Sequence, residues 1–358
     1  MKLTSLSIAI GASILAAIPL GGALAQDEIT FKYGTFYSPT DFYEVPSKFF
    51  MEEVTKRSDG RIKFEPYYGG SLLKARELSP GVSAGAVDIA VTVPGAFEPE
   101  QFPLTGVTLP YVTTNPYATT TAFRELYESD DRLKDEYQSH GQELLYAMGS
   151  GGNTLWTNKK VSTQDDLRGQ RIRVTLGIAD ALNALGATPV GIPWSEALDL
   201  IQRGGVDGVS ATPFDQAVKT GLGDIIPYVT DAGGSGSYAV VTVVMNKAKW
   251  DGLDQETKNL MSEVASEIPA YYVRELDKEI DTQVEKLAGS KATVVRLSDE
   301  EAAKWKEIGG GAARDVWMGR AKRSVEDPQA FFDKYEELVK AAEEEHPFTP
   351  GIERLNKQ

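Results

Sequence analysis

Two glycine clusters, Gly149-Ser-Gly-Gly152 and Gly233-Gly-Ser-Gly236, interrupt this chain, and the patterns on either side of them constrain its fold more than any other feature. Before the first cluster, residues 29–33 alternate apolar and polar as a half-buried strand does. Phe42, Val45, Phe49 and Val54 then recur at helical spacing, 62–67 reads as a second strand, 74–84 as a helix and 89–93 as a third strand. Between the clusters, strands at 154–157, 171–174, 188–192 and 206–210 are separated by helical patterns such as 177–185 and 194–202. Strand alternating with helix is the pattern of an α/β sheet. Each cluster suits a crossing between two such units, and the β-rich run 238–245 after the second returns the chain to the first. Two crossings between two lobes make a hinge that permits closure.

From Asp254 to Leu287 the apolar residues Leu260, Val264, Ile268, Tyr272, Leu276, Ile280, Val284 and Leu287 fall three or four apart, which predicts one long amphipathic helix with a kink at Pro269. Ser298-Asp-Glu-Glu301 fits a capping box opening another helix, and 328–341 reads as a third. The tail with Pro347 and Pro350 is expected to be extended. The expected partition is 1–25 as a leader, 26–149 with 238–281 as lobe I, and 150–237 with 282–358 as lobe II.

The leader carries Lys2, an uncharged run from Leu6 to Leu20, and Ala23-Leu-Ala25. That is the pattern of a secretory signal peptide cut after Ala25. No other segment approaches membrane-spanning length. With no cysteine, disulfide staples and a lipidated N-terminal cysteine are both excluded, so a large hydrophobic core must hold the fold. A net charge of −15 makes the chain a poor nucleic-acid binder, because phosphate binding needs clustered Lys and Arg. An anionic ligand would need a local basic site.

Catalytic patterns are missing. The only histidines, His140 and His346, have no metal-ligand spacing, and no nucleophile elbow, phosphate loop or dinucleotide fingerprint occurs. Asp130-Asp131, Asp165-Asp166 and Glu343-Glu-Glu345 are expected on solvated helix ends or faces. No catalytic residue, metal site or cofactor is assigned.

One charge stands out. Arg173 lies between Ile172 and Val174 in a short apolar strand, and a buried guanidinium needs a partner. The residues alone leave two readings open: an internal salt bridge to an acid such as Asp207, or a ligand carboxylate, which a planar two-donor fork fits well. Arg168 and Arg171 are expected to face solvent or surface acids.

In its order of segments the chain resembles the substrate-binding subunits of tripartite ATP-independent periplasmic (TRAP) transporters. The matching segments are Gly60-Arg-Ile-Lys63 with Tyr68-Gly-Gly70, Gly85-Ala-Val-Asp-Ile-Ala90, Leu109-Pro110, Leu167-Arg-Gly-Gln-Arg-Ile-Arg-Val174, Leu185-Gly-Ala-Thr-Pro189, Pro193-Trp-Ser-Glu196, Gly205-Val-Asp-Gly208, and Met245-Asn246 ahead of Trp250. The resemblance covers nearly the whole exported chain. It implies a two-lobed periplasmic binding-protein fold of the α/β class, with hinge strands and a long helix bracing both lobes. It also implies a periplasmic location, delivery of a small organic acid to membrane permease subunits, and a ligand carboxylate paired with Arg173 in the interlobe cleft. A monomer is expected, and no nucleic-acid partner. A sensory binding protein and, more remotely, a secreted enzyme are the competing readings.

Open α/β sheets place ligands at the carboxyl ends of their strands, which nominates Phe36, Tyr37, Ser38 and Thr40, then Pro94, Gly95 and Phe97, from the first lobe. Gly152, Asn153, Trp156, Trp194, Ser210, Ala211, Thr212, Pro213 and Phe214 are the candidates from the second lobe, and Tyr238 from the return crossing. Each aromatic has core packing as its alternative. Two departures from the family pattern matter. Where many members carry Glu-Asn-Pro, this chain has Val209-Ser-Ala-Thr-Pro213, so the asparagine's role passes to Ser210 or Thr212 or is lost. Where some members carry a second arginine, this chain has Asn153, which points to a monocarboxylate.

Overall fold

The computed structural model describes residues 28–174, 176–192 and 194–355; the leader and its cut after Ala25 lie outside them. In chain order its strands are Ile29–Gly34 (β1), Ile62–Tyr67 (β2), Ile89–Thr92 (β3), Gln142–Gly149 (β4), Asn153–Thr157 (β5), Arg171–Val174 (β6), Thr188–Gly191 (β7), Gly208–Pro213 (β8), Tyr228–Thr230 (β9), Val240–Asn246 (β10) and Thr293–Val294 (β11). They form two sheets, one ordered β2-β1-β3-β10-β4 and the other β11-β9-β5-β8-β6-β7. The chain has the expected two-lobed α/β fold.

β1 pairs in parallel with β2 and β3, as strands joined by returning helices do. β10 enters between β3 and β4, antiparallel to both. Every residue of β10 is buried, which is why Val240-Val-Thr-Val-Val-Met245 is apolar but for Thr242, whose hydroxyl pairs with that of Thr92. In the second sheet β6 lies parallel between β7 and β8. β8 begins at Gly208, later than the expected 206. A Cβ there would sit 2.5 Å from the Trp156 carbonyl, so glycine is what lets β8 approach β5.

The crossings from β4 to β5 and from β9 to β10 run side by side. Ser150 donates its N–H to the Ala239 carbonyl at 2.7 Å, and Asn153 its N–H to the Gly236 carbonyl at 3.0 Å. Gly236 has a φ of 72°, where side chains are disfavoured. The glycine clusters therefore buy close packing at the crossings rather than slack.

The helix Gln255–Ala288 is continuous through Pro269 and is capped by Asp254, whose carboxylate accepts from the Thr257 N–H at 2.7 Å. Its buried stripe includes Val264, Ile268, Tyr272, Leu276, Ile280 and Val284. Arg57, from the first-lobe helix Glu44–Arg57, bonds Glu267 twice, at 2.6 and 2.9 Å. Further along, Glu279 pairs with Lys219 of the second-lobe helix Phe214–Lys219 at 3.2 Å. One helix thus contacts both lobes.

Several expectations change, among them the tail, which was expected to be extended and forms a short helix at Gly351–Arg354. The helix Pro328–Glu345 was expected with lobe II, but Phe331, Phe332 and Tyr335 share a core with Leu78, Val82, Phe123 and Leu126 of the first lobe, while Gly311–Ala321 straddles the two, with Trp317 in that core and Ala313 packed with Ile178 and Ala181 of the second lobe. Trp317 also donates its indole N–H to the Pro103 carbonyl at 2.8 Å. An amphipathic stripe shows that a helix docks, not on which sheet. Ser298 caps its helix by accepting from the Glu301 N–H at 3.2 Å, but the Glu301 carboxylate accepts from the Gln164 N–H and the Trp305 indole instead of closing the box. Asp130 is a buried helix cap held by Arg132 and Lys334, not a solvated acid.

Candidate functional site

The strand that carries Arg173 is built from its flanks. Asp166 accepts from the backbone N–H groups of Ser162 and Thr163, both at 2.9 Å, and fixes the turn leading into Leu167. At the start of β6, Arg171 takes Asp207 through Nε at 3.1 Å, Nη2 at 3.1 Å and its backbone N–H at 2.9 Å. Arg168 pairs with Asp165 at 3.0 Å. Both flanking arginines are therefore spent on surface acids, as expected, and Asp207 is not the partner of Arg173.

Arg173 sits between Val190 of β7 and Val209 of β8 and is 2 % exposed. Its Nε donates to the Ile192 carbonyl at 3.0 Å and its Nη1 to the Ser210 carbonyl at 3.3 Å. The guanidinium carbon lies 5.5 Å from the centre of the half-buried Trp194 ring, a cation–π distance. Burial pushes the Arg173 pKa down to about 10, against an opposing effect of Tyr238, and the group stays charged at neutral pH. On the same strand, the hydroxyls of Ser210, whose carbonyl Arg173 holds, and of Thr212 are buried and have no hydrogen-bond partner among the described residues. Buried polar atoms are nearly always satisfied, so two orphan hydroxyls on the strand that Arg173 contacts make Ser210 and Thr212 candidates for polar ligand contacts.

From the first lobe, Phe36 and Tyr37 lie half-buried with ring centres 4.2 Å apart, and Phe97 stands 6.0 Å from Phe36. A support that the sequence reading missed holds them. The Tyr37 N–H donates to Thr35 Oγ1 at 3.1 Å, Thr35 Oγ1 donates to the fully buried Glu44 at 2.6 Å, and the Tyr33 hydroxyl donates to the same carboxylate at 3.0 Å. Burial pushes Glu44 up to about 7. Its one sequence signal was an acid directly after Phe42-Tyr43, at the first position of an apolar-faced helix.

A cavity of about 50 Å³ joins the lobes. Val93, Gly95 and Ala96 line it from the first lobe, Gly177 and Asp180 from the second, Tyr238 and Val240 from the return crossing, and Ala313 and Trp317 from the C-terminal helices. Tyr238 is 3 % exposed and precedes β10 rather than belonging to it.

Other candidates fall elsewhere. Trp156 is fully buried, its indole N–H on Thr154 Oγ1 at 2.8 Å, and Phe214 packs in the same core. β5 is buried along its whole length, and Trp156 packs with Val209, Phe214 and Val229. Asn153 spends its amide nitrogen on Ser150 Oγ at 3.1 Å and the Gly236 carbonyl at 2.9 Å: it ties the crossings together. Thr40 is exposed and borders an open recess with Lys219, Glu275 and Glu279 along the long helix. Gly152 stands where the Phe214 N–H reaches its carbonyl at 2.9 Å. Among the described residues no group of three or more His, Cys, Asp or Glu could hold a metal ion, and no helix is long and apolar enough to cross a membrane.

Residues 33–317 match the model of the bacterial extracellular solute-binding proteins, family 7. An ectoine/5-hydroxyectoine-binding periplasmic protein of Ruegeria pomeroyi is 27 % identical over 309 residues, covering 85 % of this chain and 89 % of the relative. A C4-dicarboxylate-binding protein of Bacillus subtilis is 26 % identical, covering 78 % and 80 %. Among solved structures, a marine metagenome TRAP solute-binding protein specific for aromatic acid ligands superposes with a TM-score of 0.78 at 25 % identity, covering 88 % of this chain and 99 % of that one. A TRAP solute-binding protein of Rhodoferax ferrireducens, in complex with copurified benzoate, gives a TM-score of 0.78 at 24 % identity over the same shares.

Proposed function

The chain belongs to the family-7 bacterial extracellular solute-binding proteins, the solute-binding proteins of TRAP transporters, and we propose that it closes on an organic acid, holds the carboxylate with Arg173 and hands the ligand to membrane permease subunits. The observation that carries this reading is a buried guanidinium clamped by the Ile192 and Ser210 carbonyls, on whose neighbouring strand the hydroxyls of Ser210 and Thr212 are left without partners among the described residues. A carboxylate arriving there gains a charge-assisted contact in a dry site, and its oxygens or neighbouring groups can satisfy the hydroxyls. Trp194 covers the guanidinium, and Phe36, Tyr37 and Phe97 supply an apolar wall opposite, the usual make-up of a small-molecule site.

The ligand in this reading is a monocarboxylate, hydroxylated or aromatic. Asn153 is engaged in bracing the crossings and does not serve as a second anchor, and the metagenome neighbour's preference for aromatic acids fits the aromatic wall. The protein performs no chemistry on its ligand. It works in the periplasm as a monomer after losing residues 1–25, with residues 328–345 moving as part of the first lobe.

The test is a thermal-shift screen of protein refolded free of carried ligand, against a panel of organic acids. A ligand that binds only the folded state, present at 100 times its Kd, adds about 2.7 kcal/mol of stability. A stabilising acid whose effect vanishes in Arg173→Ala supports the reading. No response across the panel, or an undiminished response in that variant, refutes it.

A further inference from the structure

The cavity behind Tyr238 is more than one carboxylate needs. We propose that it is a subsite for a small hydrogen-bond-donating substituent, a hydroxyl or an amine, carried by the acid at the end away from Arg173; this rests on Arg173 being the carboxylate's partner.

Tyr238 links the two places. It is close enough to Arg173 to influence its charge, and it lines the cavity. Its ring is fixed from behind by Gly177, where a Cβ would come within 3.0 Å of the ring. Gly177 itself stands four residues beyond Arg173, at the start of the helix Leu176–Ala184. In the proposed pose a ligand seated on Arg173 runs past Tyr238 and places its far end in this cavity.

Size and chemistry select the occupant. A water needs roughly 10–15 Å³ of such space, so about 50 Å³ takes a hydroxyl, an amine or an aminomethyl group and no second ring. Among the groups on its wall, Arg320 is paired with Glu100 at 3.2 Å, and Trp317 has given its indole N–H to Pro103. Asp180 is half-buried on the same wall, with no hydrogen bond or ion pair among the described residues. An unpaired carboxylate facing a small cavity accepts from a donor and repels an anion. The subsite thus favours hydroxyl and amine, tolerates hydrogen and rejects a second carboxylate.

The test is calorimetric titration of refolded protein with phenylacetate and its meta- and para-hydroxy, aminomethyl and carboxy derivatives. The wild type should bind a hydroxy and an aminomethyl derivative about tenfold tighter than the parent, and the carboxy derivatives more weakly. Asp180→Asn should erase the aminomethyl gain and relieve the carboxylate penalty, with parent affinity unchanged. Ala313→Val, which narrows the cavity, should remove both gains, and the melting temperature of each ligand-free variant checks that it folds. Equal affinities across the wild-type series, or gains that survive both variants, overturn the subsite while binding of the parent acid leaves the carboxylate reading standing. Failure of the wild type to bind any of these acids overturns the subsite, and the acid screen described above then decides the broader reading separately.

Discussion

Arg171 grips Asp207 at two points, Nε to Oδ2 and Nη2 to Oδ1, each at 3.1 Å, and thereby removes from Arg173 the acid that the sequence offered as its internal partner. The two arginines, two residues apart, should separate cleanly in mutants. Arg171→Ala leaves acid binding unchanged and shifts the urea midpoint only slightly, because an exposed pair is worth little. Arg173→Ala weakens acid binding by about 2 to 5 kcal/mol, the usual cost of truncating one side of a buried charge pair. Calorimetry and urea melts on both variants read out the split; comparable affinity losses in the two would contradict it.

Trp156 and Trp194 make the matching contrast among aromatics. Trp156 is fully buried between β8 and β9, so Trp156→Ala should cost about 3–5 kcal/mol of folding stability. Trp194 is half-buried over the Arg173 guanidinium, so Trp194→Ala should leave the melting temperature within a few degrees and lower ligand affinity. Chemical denaturation of the first variant and titration of the second distinguish core from cleft.

How far the sequence reached is clear from individual residues. β2, β6 and the helix Trp194–Gln202 appear at their expected bounds, and the long helix within a residue, because periodicity is a local property that a few side chains express. Burial of Arg173 was less legible, since alternation puts it on the same face of β6 as Arg171, which is exposed, and only the cover supplied by distant segments separates the two. Trp156 was not legible, because a strand buried on both faces has the same local pattern whichever face meets the cleft. Nor was Asn153, whose role depends on Gly236, a contact across 83 positions. The docking of Phe331 and Phe332 on the first lobe was hidden for the same reason: which surface receives a stripe is decided by residues far away in the chain.

Gly236 tests whether the crossings depend on close approach. Its φ of 72° disfavours any side chain, and a Cβ would fall 2.1 Å from the Thr113 carbonyl oxygen, a contact that only backbone movement relieves. Gly236→Ala should therefore destabilise the protein by more than the roughly 1–3 kcal/mol of backbone strain alone. Gly252→Ala, where nothing lies within 4 Å, is the control and should be near neutral. Similar urea midpoints for the two variants would show that the crossing yields freely.

Asp215 gives the protein a pH-dependent stability of definite sign. It is 3 % exposed, its Oδ1 has no hydrogen-bond partner among the described residues, and a Cβ on Gly151 would lie 3.0 Å from that oxygen. Burial chiefly, then the charges of Glu279 and Asp41, push its carboxyl from 3.8 up to about 7; Tyr43 and Tyr272 face it as neutral phenols, and Lys219 acts on Asp41. Below pH 3.8 the carboxyl is protonated in folded and unfolded chains alike and contributes no difference. As pH rises from there toward 7 the unfolded chain releases the proton while the folded chain keeps it, so stability falls across that window and levels off above it. The total is on the order of 4 kcal/mol when the whole shift is expressed. Asp215→Asn abolishes this contribution, so relative to wild type the variant should gain stability as pH is raised from 4 to 8. Urea melts of both proteins at the two ends of that range measure it, and a wild-type-to-variant difference that does not change with pH would mean that the buried carboxyl is already ionised in the folded protein at acid pH.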